Sequence, residues 1–194
     1  MSELYPQDKL RRLLLQGSAE LFLALDPQRD LEVIARLMHR LQLPAVSLYD
    51  PDELDREVVV FAPQLVQLPA AAPESEVLIG EAWGGRWGVF FQSQVDLFSL
   101  REHVRTLMLP VAGDGSRVVL PVYDPLTMRN LLPCVSVAES DGFFGPIQAM
   151  LMEAHDPWQA LCFIRQPDGQ VSRIGVDLGR QQVAVELRNM VEEL

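Results

Sequence analysis

Leu21-Phe22-Leu23-Ala24-Leu25-Asp26-Pro27, with the Asp30 helix behind it and Ala45-Val46-Ser47-Leu48-Tyr49 after that, is the stretch that decides the fold. The apolar run is short, lacks polar alternation and is closed by a turn pair, which predicts a strand buried on both faces. Asp30 stands where a carboxylate accepts from the free amides of a first helical turn. Behind it Leu31, Ile34, Ala35, Met38 and Leu41 form one stripe, with Arg29, Arg36 and Arg40 away from it. Pro44 stops this helix, and Ala45 to Tyr49 is a second predicted strand. The order strand, helix, strand favours a mixed or parallel sheet, so the expected class is α/β (mixed α+β), a central mixed sheet with flanking helices.

Upstream, Leu10, Leu13 and Leu14 predict a short amphipathic helix ended by Gly17. Downstream, Glu57 to Phe61 and Ala62 to Leu68 read as extended, Glu76 to Trp83 as a helix and Trp87 to Gln92 as a strand. Leu97, Leu100, Val104, Leu107 and Met108 mark the clearest helix, with Ser99 and Glu102 at capping-box spacing. Arg117 to Tyr123 is β-rich, and Pro121 puts that strand at an edge or a bulge. Asp124-Pro125 opens a helix over 126–132 with Asp as cap and Pro at its first position. Past Gly145-Pro146 a short helix is predicted to Met152. Ala160 to Arg165 and Val171 to Val176, joined by Pro167-Asp168-Gly169, predict a β-hairpin. A helix from Arg180 to Leu194 carries Val183, Leu187, Met190, Val191 and Leu194 on one face. The expected division is a main domain over 1–146 and a smaller C-terminal lobe over 147–194.

The 194 residues hold 27 acidic against 16 basic side chains, a formal charge of −11, which excludes a binder dominated by nucleic-acid phosphates. Hydrophobic residues at 48% and charged residues at 22% are the balance of a globular protein. Cys134 and Cys162 lie far apart and belong to no CxxC or Cys/His run, so neither a disulfide framework nor a zinc site is expected. A basic leader followed by an apolar run is missing, as is any apolar stretch of membrane-spanning length, and the expected compartment is the cytoplasm.

No GxSxG elbow and no GxxxxGK[ST] loop occurs. His155-Asp156 resembles a metal-phosphohydrolase dyad, but its turn is completed by Pro157 and the only other histidines are His39 and His103. Asp50-Pro51-Asp52 reads as a turn and helix cap. His39 falls on the solvated side of its helix, and His103 on the flank of the best one, half-buried and hydrogen-bonded to the sheet. Trp83, Trp87, Phe90, Phe91, Phe143 and Phe144 read as core. No catalytic, cofactor-binding or metal-ligating residue is assigned, and no enzymatic activity or cofactor is expected.

Several blocks in order carry a resemblance: Leu23-Ala-Leu-Asp-Pro27, Ser47-Leu-Tyr-Asp50, Ala62-Pro-Gln-Leu-Val-Gln-Leu68, Trp87-Gly-Val, Leu100-Arg-Glu-His-Val-Arg105, Asp114-Gly115, Val122-Tyr-Asp-Pro125 and Phe143-Phe-Gly-Pro146. Together, over about residues 20 to 146, they resemble the type VI secretion adaptor family, effector chaperones first filed as a domain of unknown function. The resemblance implies a cytoplasmic, non-enzymatic adaptor that binds a toxic effector and helps load it onto the valine-glycine-repeat spike protein, with no nucleic-acid or membrane partner. The alternative is an immunity protein that binds and blocks a basic toxin. The family-motif residues are Trp87, Gly88, His103, Arg105, Tyr123, Asp124, Pro125, Phe143, Phe144, Gly145 and Pro146. The family often has arginine where this chain has Pro121, so that arginine's contacts do not carry over. Candidate client-binding residues are the apolar Trp158, Leu161, Phe163, Val183, Leu187 and Met190 of the C-terminal lobe.

Overall fold

The run from Leu21 to Leu25 forms strand β1 (Glu20–Leu25), and all five of these residues are buried. A strand covered on both faces belongs inside a sheet, and β1 is flanked by β3 (Gln64–Leu68) and β4 (Gly88–Ser93), antiparallel to both. With β2 (Ala45–Ser47), β5 (Ile147–Glu153), β6 (Gln159–Arg165) and β7 (Val171–Asp177) the order is β2-β3-β1-β4-β5-β6-β7, every neighbouring pair antiparallel. This computed structural model describes residues 10, 14–15, 19–50, 61–108 and 119–178.

The opening strand–helix–strand unit is present, but the parallel pairing it suggested is not. Helix α1 (Leu31–Leu41) carries the chain from β1 to β2, which runs in the same direction; β3 inserts between them and pairs antiparallel with each. Burial on both sides of β3 suits an interior place, whereas three-residue β2 suits an edge. The side chain of Asp30 caps α1 by accepting from the amide of Val33 at 3.3 Å. Gln42, at φ +52, ends it. The buried face is Ile34, Leu37 and Leu41, while Ala35 of the expected stripe is exposed.

Strand register aligns the core into rows. On one face Val66, Leu23, Phe90, Leu151, Cys162 and Ile174 follow one another across six strands. Helices α1 and α2 (Pro73–Ala82) pack there through Ile34, Leu37, Leu78 and Ile79. On the other face Phe22, Phe91, Met150 and Phe163 stand side by side. Those four lie under α3 (Leu97–Met108), α4 (Pro125–Leu131) and α5 (Val137–Phe144), which contribute Leu100, Val104, Met128 and Phe144. The result is a three-layer α/β sandwich. Burial in the first layer pushes the Cys162 thiol up to about 12, while Cys134 is exposed.

Three expectations are corrected. The helix expected from Pro146 to Met152 is β5, because a segment wedged between β4 and β6 takes its backbone partners from them. The described part of the expected Arg117–Tyr123 strand, from Val119 on, is no strand; it turns, with the amide of Asp124 donating to the Pro121 carbonyl at 2.9 Å. The cap of α3 is Asp96, whose carboxylate accepts from the amides of Phe98 and Ser99 at 2.9 and 3.0 Å, rather than a Ser99–Glu102 box. A capping box does occur at Ser136 and Glu139, where the Ser136 amide donates to Glu139.

Residues 147–177, expected in a separate lobe, are three consecutive strands that extend the main sheet from β4. The hairpin within them forms as read. Gly169, at φ +82, closes it, with its amide on the Gln166 carbonyl and the Gln166 amide on the Gln170 carbonyl. The helix expected over 180–194, the start of the extended piece before Phe61 and Asp114-Gly115 lie outside the described residues.

Candidate functional site

Asp26 follows β1 directly, and its amide donates to the Trp87 carbonyl at 2.7 Å and so fixes the carboxylate at the rim of the sheet. That carboxylate accepts from the Gln28 amide at 3.0 Å and pairs with the Arg29 guanidinium at 3.3 Å. Arg29 also reaches Asp124, 2.5 Å away. Asp124 in turn caps α4, accepting from the Thr127 amide at 2.9 Å and its hydroxyl at 2.7 Å, while Pro125 occupies the first helical position. Arg29 therefore ties the exit of the central strand to the start of a helix almost a hundred residues later.

Tyr123 stands beside this cluster. Burial first, then the neighbouring Tyr49, Asp26 and Asp124, push its phenol up to about 12, so it stays protonated. Tyr49 leads to Asp50, which accepts from Arg101 at 2.6 Å and also pairs with Arg105. The two arginines are four residues apart on α3, so one helix face directs both at one carboxylate. Hydrogen bonds from Arg101 and then Arg105 hold the Asp50 carboxyl below its ordinary range. Arg101 also donates to the Ser47 carbonyl at 2.6 Å, tying α3 to the β2 edge.

His103, between those arginines in sequence, lies on the other flank of α3. It is half-buried as expected, but its Nε2 lies 3.2 Å from the Phe143 carbonyl at the end of α5 and not on the sheet. A carbonyl only accepts, so Nε2 carries the proton. Burial lowers the imidazole below its ordinary range, against the hydrogen bonds to Phe143 and Phe144. The ring lies over Gly145, where an added Cβ would meet it at 2.4 Å, and Gly145 itself has φ +50. One residue on, the Pro146 carbonyl accepts from the Ser93 hydroxyl at 2.8 Å. His103 and Ser93 thus clamp the turn from α5 into β5. Gly88 also has a steric reason, since a Cβ there would sit 2.0 Å from the Ala24 carbonyl oxygen of β1.

Nine of the eleven family-motif residues fall into two tiers. Arg105, Tyr123, Asp124 and Pro125 form the polar rim, with Phe143, Phe144, Gly145 and Pro146 under His103. Trp87 is buried in the first core layer. Asp26, Arg29, Tyr49, Asp50 and Arg101 complete the rim and are not among the sequence-assigned site residues; the i, i+4 pair Arg101/Arg105 was the available signal. Of the candidate client-binding residues, Trp158 is exposed, Leu161 is partly covered and Phe163 is completely buried, because its strand parity points it into the second core layer. Phe163 is accordingly a core residue. Val183, Leu187 and Met190 lie outside the described residues.

Other readings find their places. Trp83, Phe90 and Phe91 are core, and Trp83 donates from its indole to the Pro157 carbonyl at 2.8 Å. His39 is exposed, and Asp156 accepts from the Trp158 amide within a surface turn. Among the described residues no three His, Cys, Asp or Glu side chains are grouped to hold a metal ion, and no helix is long and apolar enough to cross a membrane.

Among the described residues six large apolar side chains are exposed, and three of them lie on one helical layer, the others being Phe61, Val119 and Trp158. Phe98 of α3, Leu126 of α4 and Val137 of α5 are 67%, 49% and 54% exposed, each in the first turn of its helix.

A family model described as a domain of unknown function, DUF4123, matches residues 21–141, which takes in the polar rim and His103 and ends within α5, before Phe143–Pro146. No curated protein and no solved structure matches the chain.

Proposed function

The chain belongs to the DUF4123 family, and from that premise we propose that it is a non-enzymatic cytoplasmic adaptor that binds a toxic type VI secretion effector and helps load it onto the valine-glycine-repeat spike protein. The carrying observation is the helical layer with Phe98, Leu126 and Val137 exposed. Apolar side chains presented from separate helices suit a protein partner, whose core contacts exclude charge. The polar rim supports the same reading. Arg29 and Asp124 hold α4 to the exit of β1, Arg101 and Asp50 hold α3 to the β2 edge, and His103 holds α3 to the end of α5, so these helices present a fixed surface.

The test is co-expression with a neighbouring toxin and spike protein. The adaptor reading expects all three to co-purify, with toxin activity intact, and expects Phe98→Glu and Leu126→Glu to reduce recovery of the complex without changing the fold. The −11 charge favours a second reading, an immunity protein against a basic toxin. Inhibition of toxin activity by the purified chain would establish that reading instead.

A further inference from the structure

Glu153, the last residue of β5, is 4% exposed and belongs to neither tier. Its carboxyl faces the turn that carries α2 into β4. In that turn the Trp83 amide donates to the Ile79 carbonyl at 3.1 Å and the Gly85 amide to the Ala82 carbonyl at 3.3 Å. The Gly84 and Arg86 amides both go to the Glu153 carboxyl, Arg86 at 2.8 Å. Those two residues have φ of +94 and +53, and a residue with a side chain keeps such a value only where its surroundings hold it there. Gly85 lies against the Trp87 indole, which an added Cβ would meet at 2.5 Å. Trp83 donates from its own indole to the Pro157 carbonyl, so the β5–β6 turn is tied to the same corner. One buried carboxyl thus closes a left-handed turn from inside the fold.

Among the described residues that carboxyl has no ion-pair partner. Arg86 and Arg129 of α4 act on it only through space, and β6 sets Ala160 opposite it. The other charged groups nearby are turned elsewhere: Asp26 pairs with Arg29, while Glu81 of α2 and His155 and Asp156 of the following turn are exposed. Burial therefore pushes the Glu153 carboxyl up, against its amide bonds and the charges of Arg86 and Arg129. We propose that Glu153 is a proton-operated latch: the neutral carboxyl holds the α2–β4 turn closed, and the carboxylate biases the turn toward an open form in which water reaches it. Both forms accept from the amides, so what separates them is the uncompensated buried charge. The closed turn binds the proton more tightly than the open one. Its advantage is complete below the ordinary glutamate value of 4.5 and is lost as pH rises through the folded value.

The proposal is independent of the adaptor reading, because it concerns the chain alone. Hydrogen exchange at the Gly84 and Arg86 amides of the full chain, corrected for the intrinsic pH dependence of exchange, reads the open population. Protection should rise at least ~3-fold from about pH 7 to pH 5. The Glu153 carboxyl carbon, followed by nuclear magnetic resonance, should titrate with a midpoint above 4.5. Glu153→Gln keeps an acceptor without the charge, so its turn should be equally protected at both pH values. His155→Gln should leave the response of the unaltered protein in place. The three tryptophans of the chain are Trp83, Trp87 and Trp158, so fluorescence should follow the same transition and lose it in Glu153→Gln. A carboxyl that titrates at or below 4.5, or protection that is unchanged or falls with acid, would overturn the proposal without any variant having to fold. A Glu153→Gln chain that keeps the pH response would overturn it as well.

Discussion

Gly145→Ala tests the clamp between α3 and the α5–β5 turn. Gly145 has φ +50 and ψ −118, a backbone region that side chains rarely enter, at a cost of about 1 to 3 kcal/mol. The new Cβ would also lie 2.4, 2.7 and 2.8 Å from three atoms of the His103 ring. The ring must move, and losing its bond to the Phe143 carbonyl costs about 0.5 to 1.5 kcal/mol more. The total is roughly 2 to 4 kcal/mol, which with a urea dependence of about 2 kcal/mol per molar lowers the unfolding midpoint by about 1 to 2 M. Enough of a typical domain stability of about 5 to 15 kcal/mol remains for the variant to fold. His103→Ala removes the ring and with it the clash. The double variant should therefore be less destabilised than the sum of the singles by about 1 kcal/mol, while the backbone cost persists. A midpoint shift below about 0.3 M for Gly145→Ala, or strict additivity in the cycle, would refute the reasoning.

Asp124→Ala removes the α4 cap, at about 1 kcal/mol, and the partly exposed Arg29 pair, at a few tenths more. Asp124→Asn keeps the cap and should keep most of that stability in the same urea titration. His103 has its folded-state value lowered by burial, so the unfolded chain binds the proton first as pH falls. Its contribution is complete above the ordinary value of about 6.5 and is lost as pH falls through the folded value. His103→Gln should therefore show a shallower drop in urea midpoint between about pH 7 and pH 5 than the unaltered protein, and parallel curves would contradict the burial argument.

The class and most elements were legible because they are local properties. Leu21 to Leu25 has no polar residue to face water, and Asp124-Pro125 carries both the cap and the preset φ of a first turn. What escaped is what depends on distant partners. β3 separates β1 from β2, and nothing between Leu21 and Tyr49 announces an intruder from Gln64. Ile147 to Glu153 is rich in Ala, Met, Leu and Glu, good helix formers, yet β4 and β6 claim its backbone and both faces are buried. The rim was invisible for a related reason. Its members come from 26–29, 49–50, 101–105 and 123–124, each an ordinary turn, cap or helix flank until the fold assembles them. Phe163 illustrates the reverse error, since hairpin placement suggested a surface and strand parity put the ring in the core.

The insertion of β3 has a consequence during synthesis. β1 is the hub of the sheet, yet its two partners begin at Gln64 and Gly88, so a ribosome must release dozens of further residues before either side of Leu21–Leu25 is matched. Loop-closure entropy is spent before those long-range pairings return anything, which makes the fold a slow one for its size. Until β3 emerges the most apolar strand of the nascent chain has no partner, and until β4 emerges one of its sides stays unmatched, an aggregation hazard. Synonymous codon changes that slow translation between β1 and β4 would lengthen that interval, whereas the same changes after β5 would not.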